Sequence, residues 1–418
     1  MIKILSIELY YNLLLKTKCL SYSNSKNQHN SENICYNPIN MDKSIELSII
    51  MPCYNEEDTV AICIKKAKSA IKDLKIKGEV IVIDNNSKDN SFNVAKKAGA
   101  IVFKERLKGY GNALRKGFKE ASGKYIIMAD SDDTYDFYES KKIYNRLKKG
   151  YDFVIGDRYK KGKIEKGATP FSHRLGAPLL TFILNVFYGT NISDAHCGMR
   201  GIERNAYKRL NLQTEGMEFA SEMIVKAGKL KLKISEVPIT LSKRKGSEAK
   251  LSTFKDGWRH LSFLLTQGTN FTFIYPGTLL LILGIIMFIL LSPGHFTIFG
   301  RTFYYHILYI ASLLSILGYN ILIFGVLTKQ YSSKEKFTPI DKITELIQQI
   351  DMNKILIFGL LLILLSILIL IDAYIIWEQN HFGVLLSSGK VIAGITIFIL
   401  GTQTIFAGLF SKIIELKN

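Results

Sequence analysis

The chain has 418 residues, 48% of them apolar, and its mean hydropathy of +0.13 is high for a protein with 22% charged residues, so two kinds of segment are averaged in it. Up to Asn270, 46 Lys and Arg stand against 29 Asp and Glu, a net of +17, whereas the remainder nets only +2. Such a composition excludes collagen and overall disorder, and five cysteines (Cys19, Cys35, Cys53, Cys63, Cys197) without paired bridging or metal-binding spacing exclude a secreted disulfide scaffold, so reduced, cytosol-facing thiols are expected.

Residues 1–44 combine a mixed apolar stretch, Met1–Tyr11, with an Asn- and Ser-rich run from Ser21 to Asn33. No small-residue cleavage site follows an apolar core, so this part reads as a disordered extension rather than a signal peptide, and Met41 is the expected start. From residue 45 the pattern changes. Short β-branched-rich runs at Leu47–Pro52, Glu79–Asp84, Ala100–Phe103, Lys124–Ala129 and Tyr151–Gly156 alternate with helical periodicity at Asp58–Leu74, Ser91–Ala98, Gly111–Ala121 and Phe137–Lys149. The alternation predicts an α/β domain over 45–240, a mainly parallel sheet with helices on both faces, with its ligand site at the carboxyl ends of the strands.

Polar motifs sit at those ends. Pro52-Cys53-Tyr54-Asn55-Glu56-Glu57 follows the first strand, Asp84-Asn85-Asn86-Ser87-Lys88-Asp89 the second, and Asp130-Ser131-Asp132-Asp133-Thr134-Tyr135-Asp136 the fourth. The first two also suit ordinary turns and helix caps. The third does not, because four carboxylates directly after an apolar strand repel one another and resist burial. A hard divalent cation, Mg²⁺ or Mn²⁺, resolves that conflict: it takes oxygen ligands and is commonly completed by substrate phosphates. In an extended segment Asp130 and Asp132 approach one site while Asp133 points elsewhere. A helix Arg174–Tyr188 follows. His196 and Cys197 lack the partners that zinc needs.

Between Lys231 and Arg259 eight basic residues stand against Glu236, Glu248 and Asp256, which makes 241–270 a juxtamembrane segment suited to anionic headgroups. Four apolar stretches then occupy 271–418, at about Phe273–Leu291, Tyr305–Leu327, Ile355–Ile376 and Val391–Phe410, each matching the ~20 residues a membrane helix needs. Lys329, Lys334, Lys336, Lys342 and Lys354 crowd the middle connection, against Arg301 and Lys390 in the other two. This predicts a multi-pass plasma-membrane protein with the middle connection, the α/β domain and both termini cytoplasmic. Ile343, Leu346, Ile347 and Ile350 mark a short amphipathic helix on the membrane surface. Asp372 reads as an interfacial residue beside Tyr374 and Trp377, with an intramembrane functional carboxylate as the alternative.

In order and spacing, these motifs resemble family 2 glycosyltransferases of the GT-A nucleotide-sugar fold, over about Ile45 to Leu265, and within them the polyprenyl-phosphate enzymes of the dolichol-phosphate mannose and glucose synthase type. The segments Asp194-Ala195-His196-Cys197-Gly198-Met199-Arg200, Gly216-Met217-Glu218-Phe219-Ala220-Ser221-Glu222 and Arg244-Lys245-Gly246-Ser247-Glu248-Ala249-Lys250 carry that narrower likeness. The resemblance implies that Pro52, Tyr54, Glu56, Asp84 and Asn86 hold the nucleoside of the donor, with Lys108 in the Lys108-Gly109-Tyr110-Gly111 loop beside it. It implies Asp130 and Asp132 for the metal-bound diphosphate, with Arg244 and Lys250 stabilising the charge that develops there. Thr134 stands where many synthases carry Gln, which leaves a third metal ligand open, and Asn85-Asn86 replaces the commoner Asp-Gly, which leaves the nucleobase open.

The implied reaction is inverting transfer of a hexose from a UDP- or GDP-sugar to dolichyl or undecaprenyl phosphate. An acceptor phosphate with a second pKa near 6 is largely ionised at neutral pH and needs no strong base. It does need cations to hold it against an anionic donor, and Arg158 and Arg174 are the candidates, with the Ser247 hydroxyl as a further contact for the acceptor phosphate. Asp132, Arg244, Asp194 and Glu218 are the catalytic candidates, the last two as groups that orient sugar hydroxyls, stabilise positive charge or form a cap or ion pair. Phe182, Phe187 and Tyr188 serve either the core or a lipid chain. A polysaccharide or glycolipid synthase lacks support because Asp256-Gly257-Trp258-Arg259-His260 does not match a chain-holding Q-x-x-R-W signature. From a different class, a lipid-headgroup carrier with a nucleotide-binding regulatory domain would show lipid movement without sugar transfer. Nucleic-acid binding is not expected, as the basic strip adjoins a membrane. A homo-oligomer is left open.

Overall fold

A computed structural model of the chain describes residues 45–244, 253–291, 295–298, 300–334, 341–383 and 387–416. The expectations for residues 1–44 and for Ser247 and Lys250 fall outside the described residues.

Strand β1 (Leu47–Cys53) is almost wholly buried, as expected of a near-continuous apolar run at the centre of a sheet. Helix α1 (Val60–Asp73) buries Val60, Cys63, Ile64, Ala67 and Ile71, the spacing of one helical face, and returns the chain to β2 (Gly78–Asp84), which runs parallel to β1 from Leu47↔Gly78 to Cys53↔Asp84. Then come α2 (Ser91–Lys97), β3 (Ile101–Lys104), α3 (Tyr110–Glu120) and β4 (Tyr125–Met128), which pairs with the other side of β1. A 3₁₀ turn, Phe137–Glu139, leads into α4 (Ser140–Lys148) and β5 (Phe153–Asp157). Each expected strand and helix up to this point is present within two or three residues of its expected limits.

Beyond β5 the sequence is less transparent. A short strand β6 (Lys163–Ile164) precedes α5 (Phe171–Tyr188), which begins one turn earlier than expected. Strand β7 (Arg200–Glu203) enters the sheet antiparallel to both β4 and β5, followed by α6 (Arg204–Leu210), α7 (Phe219–Lys229), β8 (Ile234–Pro238) and β9 (Thr240–Leu241). The sheet order is β3-β2-β1-β4-β7-β5-β8, with every pairing except those of β7 parallel. Arg200 inserts a fully buried guanidinium that donates to the carbonyls of Cys197 (2.7 Å), Ala195 (2.8 Å) and Ala220 (2.6 Å), so one side chain ties the segment before β7 to the start of α7.

Helix α8 (Thr253–Gln267) leads through a π-helical turn, Asn270–Ile274, into α9 (Tyr275–Leu291). A hairpin of β10 (His295–Ile298) and β11 (Arg301–Tyr304) precedes α10 (Leu308–Lys334). The short α11 (Lys342–Gln348) is N-capped by Asp341 and buries Ile347 while leaving Leu346 exposed. Helices α12 (Met352–Gln379) and α13 (Ser388–Leu416) complete the described chain. Four helical stretches, Asn270–Leu291, Leu308–Lys334, Asn353–Gln379 and Ser388–Leu416, are long and apolar enough to cross a membrane. They pair through glycines: a Cβ on Gly277 would lie 2.7 Å from the Leu322 nitrogen, and one on Gly401 2.9 Å from the Gly359 carbonyl. Asp372 and Lys390 form an exposed ion pair at 2.6 Å at one end of the spans.

Candidate active site

The carboxyl ends of β1, β2 and β4 converge on a cavity of about 440 Å³. β2 and β3 lie on one side of β1 and β4 on the other, so the cavity opens where the strand order reverses, the usual crevice for a ligand in an open α/β sheet. Pro52, Tyr54 and Glu56 come from the end of β1, Asn85 from β2, Asp130 and Asp132 from β4, Lys108 and Tyr110 from the entry to α3, and Met217 and Arg244 from later segments.

Local chemistry shapes each wall. After β4, Ser131 donates to the Pro52 carbonyl at 2.8 Å and accepts at its own carbonyl from Thr59 Oγ1 at 2.8 Å, which locks the turn onto β1 and α1. Asp133 adopts a left-handed conformation (φ 58°) and is carried off to Lys66 Nζ at 2.6 Å, leaving Asp130 and Asp132 to the cavity. Asn85 donates to the carbonyls of Leu107 (2.7 Å) and Glu105 (3.1 Å) and accepts from Gly109 N (2.9 Å), so one amide fixes the loop that carries Lys108. Gly109 sits at φ 137°, a conformation a side chain would oppose.

Asp130 accepts from the Tyr110 hydroxyl at 2.9 Å. Burial, and next the charge of Asp132, push its pKa up to about 7, although Tyr110, Arg244 and Arg158 act the other way. Asp132 Oδ1 accepts from the Thr134 hydroxyl (2.6 Å) and amide (3.1 Å), while its Oδ2 lies 3.3 Å from Arg244 Nη1. The same guanidinium pairs with Glu56. No cluster of three or more His, Cys, Asp or Glu with metal-holding geometry occurs among the described residues. Two carboxylates, one of them with a raised proton affinity, nonetheless fit a hard divalent cation that takes its remaining oxygens from a diphosphate and water. Thr134 is spent in orienting Asp132.

Two models of protein families match the chain, "Glycosyl transferase family 2" over residues 48–210 and "Glycosyltransferase family 2 C-terminal transmembrane region" over residues 326–415. The low-salt glycan biosynthesis hexosyltransferase Agl6 of Haloferax volcanii is 42% identical over 281 residues, 67% of this chain and 67% of that protein. The chain belongs to glycosyltransferase family 2. A dolichyl-phosphate hexose transferase of the same organism is 28% identical over 51% of this chain and 89% of its own length. Glucosyl-3-phosphoglycerate synthase from Mycobacterium tuberculosis, crystallised with Mn²⁺, UDP and glucosyl-3-phosphoglycerate, aligns at a TM-score of 0.43 with 20% identity over 54% of this chain and 81% of that one. The fold of this family 2 enzyme is the GT-A nucleotide-sugar transferase arrangement, joined to a transmembrane region.

Against that family pattern, the structure gathers Pro52, Tyr54, Glu56, Lys108, Asp130, Asp132 and Arg244 around one cavity. Other expected residues stand elsewhere. Asp84 is buried and accepts from Ser87 N at 3.3 Å, and Asn86 is exposed and spends its amide on the Arg106 carbonyl at 2.9 Å, so neither lines the cavity and Asn85 takes that place. Asp194 is fully buried with both oxygens on Arg158, at 2.6 and 2.9 Å. Its expected role toward sugar hydroxyls therefore gives way to the ion pair, and Arg158, with only 10% of its side chain exposed, is a poor holder of an acceptor phosphate. Arg174 is exposed on α5. Glu218 Oε1 accepts from Gly216 N at 3.2 Å, whereas Oε2 has no hydrogen-bond partner among the described residues and faces Arg259 at 4.0 Å. His196 is held well below its usual pKa by burial and by His260, and packs edge-on to that ring at 4.8 Å, a core position. Tyr110 and Met217 line the cavity although neither stands out from its motif in the sequence; for Tyr110 the signal is its place beside Gly109 at a helix start.

Proposed function

We propose that this family 2 enzyme transfers a hexose, with inversion, from a UDP- or GDP-sugar to a membrane polyprenyl phosphate such as dolichyl or undecaprenyl phosphate, making a lipid-linked sugar for glycan or cell-surface assembly. The observation that carries the reading is the pair Asp130 and Asp132 beneath Arg244 at the crevice between β1 and β4. Mg²⁺ or Mn²⁺ held by the two aspartates would supply positive charge to the leaving diphosphate. Arg244 adds a second cation, and its present partners Glu56 and Asp132 mark where an anion must compete to recruit it. Pro52, Tyr54 and Asn85 offer the wall for the nucleoside, and Glu218 offers a carboxylate oxygen held, among the described residues, only by the 4.0 Å approach of Arg259.

Acceptor access is supported by α5. Leu175, Leu179, Phe182 and Val186 form an exposed stripe along it, and Trp258 is exposed on α8, so this side of the protein suits the membrane boundary. Phe182 belongs to that stripe, whereas Phe187 stacks on Phe271 and Tyr188 bonds the Leu264 carbonyl. In this reading residues 45–240 form a cytoplasmic catalytic domain, 241–270 a juxtamembrane segment and 271–418 the anchor, with Arg174 nearest the acceptor phosphate. The test incubates membranes holding the full chain with labelled nucleotide sugars, polyprenyl phosphate and Mg²⁺ or Mn²⁺, then identifies the lipid product. A sugar phospholipid lost on chelation and in Asp132→Ala is expected; near-normal transfer by that variant would remove the metal assignment.

A further inference from the structure

A second cavity, of about 400 Å³, shares no residue with the catalytic one and lies where the ends of α5, α7 and α8 meet α10 and α11. Its depth in the molecule follows from its walls. Asn270 opens the first membrane-spanning stretch and Lys329 lies in the last turns of the second, so the cavity sits at the boundary between lipid and water.

Four lysines line it, Lys229, Lys231, Lys329 and Lys342, against the carboxylates of Asp341 and Glu345. Asp341 is already committed. Its oxygens take Lys329 Nζ at 2.7 and 2.6 Å, the Thr344 amide at 2.8 Å and Asn270 Nδ2 at 2.9 Å, so its charge serves Lys329 and the start of α11. Lys229 has no comparable partner. Its ammonium reaches only the Gln267 carbonyl at 3.4 Å and the face of the Tyr188 ring at 5.5 Å, and no carboxylate among the described residues lies within ion-pair range. An ammonium has three donors, so most of its bonding capacity is left unused by the described protein groups. Burial, and next the charge of Lys329, bring its pKa down to about 8. Lys231 and Lys342, both exposed, stand at the mouth, again without an ion-pair partner among the described residues.

We propose that this cavity binds a phosphate group, with Lys229 as the inner donor and Lys231 and Lys342 closing on it from α7's end and from α11. Lysine serves compact anions as a point charge and demands no planar fork, which suits a tetrahedral oxyanion better than a carboxylate. One flank is apolar, formed by Phe187 stacked on Phe271 at 5.0 Å, and Phe271 already belongs to the first span. The phosphate therefore comes from a membrane lipid headgroup or from solution. Either way it neutralises cations from both sides of the junction and ties the end of α7 to the connection between the second and third spans. It is a site apart from sugar transfer and takes neither donor nor acceptor.

The test uses the full chain purified in detergent and measures its thermal midpoint and, by native mass spectrometry, its retained ligands. Three probes are titrated: phosphatidylglycerol, phosphatidylcholine and inorganic phosphate. Saturable binding of phosphatidylglycerol with a raised midpoint, and none with phosphatidylcholine, is expected. Lys229→Gln weakens it about fivefold, the equivalent of roughly 1 kcal/mol per cation at a membrane surface. Lys342→Gln, at an exposed position that folding does not need, lowers affinity in the same direction, and Lys229→Arg retains binding. If inorganic phosphate reproduces the effect, the group alone suffices; if only the lipid does, the headgroup is the source. Indifference to both phosphatidylglycerol and inorganic phosphate, or equal retention by wild type, Lys229→Gln and Lys342→Gln, overturns the proposal.

Discussion

Arg244 illustrates how a single guanidinium can hold a site in readiness. It bridges Glu56 and Asp132, with its Nε buried and without a hydrogen-bond partner among the described residues. Arg244→Ala is expected to lower kcat/KM for the nucleotide sugar by about 100-fold, the scale seen when one preorganised charge-stabilising donor is lost. Its thermal midpoint should stay close to wild type, because the two carboxylates it leaves line the cavity and keep the hydroxyls of Thr59 and Thr134 as donors. Steady-state kinetics beside a melting curve checks both halves. Asp194 behaves oppositely. Removing its charge in Asp194→Asn strands Arg158 in the interior, and breaking such a pair costs about 3 kcal/mol or more. A clearly lowered midpoint is the expected reading, whereas unchanged stability with lost activity would return Asp194 to the catalytic residues. The contrast also marks what sequence could tell. Crowded aspartates after an apolar strand announce themselves by mutual repulsion, but the Arg158–Asp194 pair joins positions 36 apart and is visible only once the sheet has formed.

Elements β1 to β5 were legible because each is an apolar run bounded by polar ends, and the four spans because a helix packed inside a water-soluble domain rarely stays uniformly apolar over such lengths. Strand β7 was not. Its Arg-Gly-Ile-Glu sequence carries a charge that looks solvent-bound, and only the three carbonyls around Arg200 make its burial tolerable. β8 ends at Pro238 on the sheet edge, where a missing amide does no harm but weakens the strand signal. Helix α7 brings a pH dependence of its own. Lys229, near its end, has a pKa lowered to about 8 from 10.5, so over that interval the unfolded chain binds more protons than the folded one and stability rises with pH. In phosphate-free detergent the midpoint should climb between about pH 8 and about pH 10, and Lys229→Met should flatten that slope. A falling midpoint in wild type, or an unaltered slope in the variant, would contradict this account.

At the scale of the whole molecule, an even number of spans returns the chain to the side from which it entered. The proposed sidedness puts Lys412, beyond the core of α13, on the same face as the sheet, with Arg301 and Lys390 on the other. Single cysteines at Arg301 and at Lys412, in a background lacking exposed thiols, should react with a membrane-impermeant maleimide from opposite sides of sealed vesicles. Reaction of both from one side would sink the four-crossing arrangement. Between the two halves of the protein lies the π turn Asn270–Ile274. Such a turn accommodates one amino acid more than an α-helix of equal length, so deleting a single codon there closes an ordinary helix and spares the span. The same deletion within α9 would swing every later lipid-facing side chain by about 100°. This junction is therefore a place where descendants of this gene can lose one residue without rebuilding the anchor.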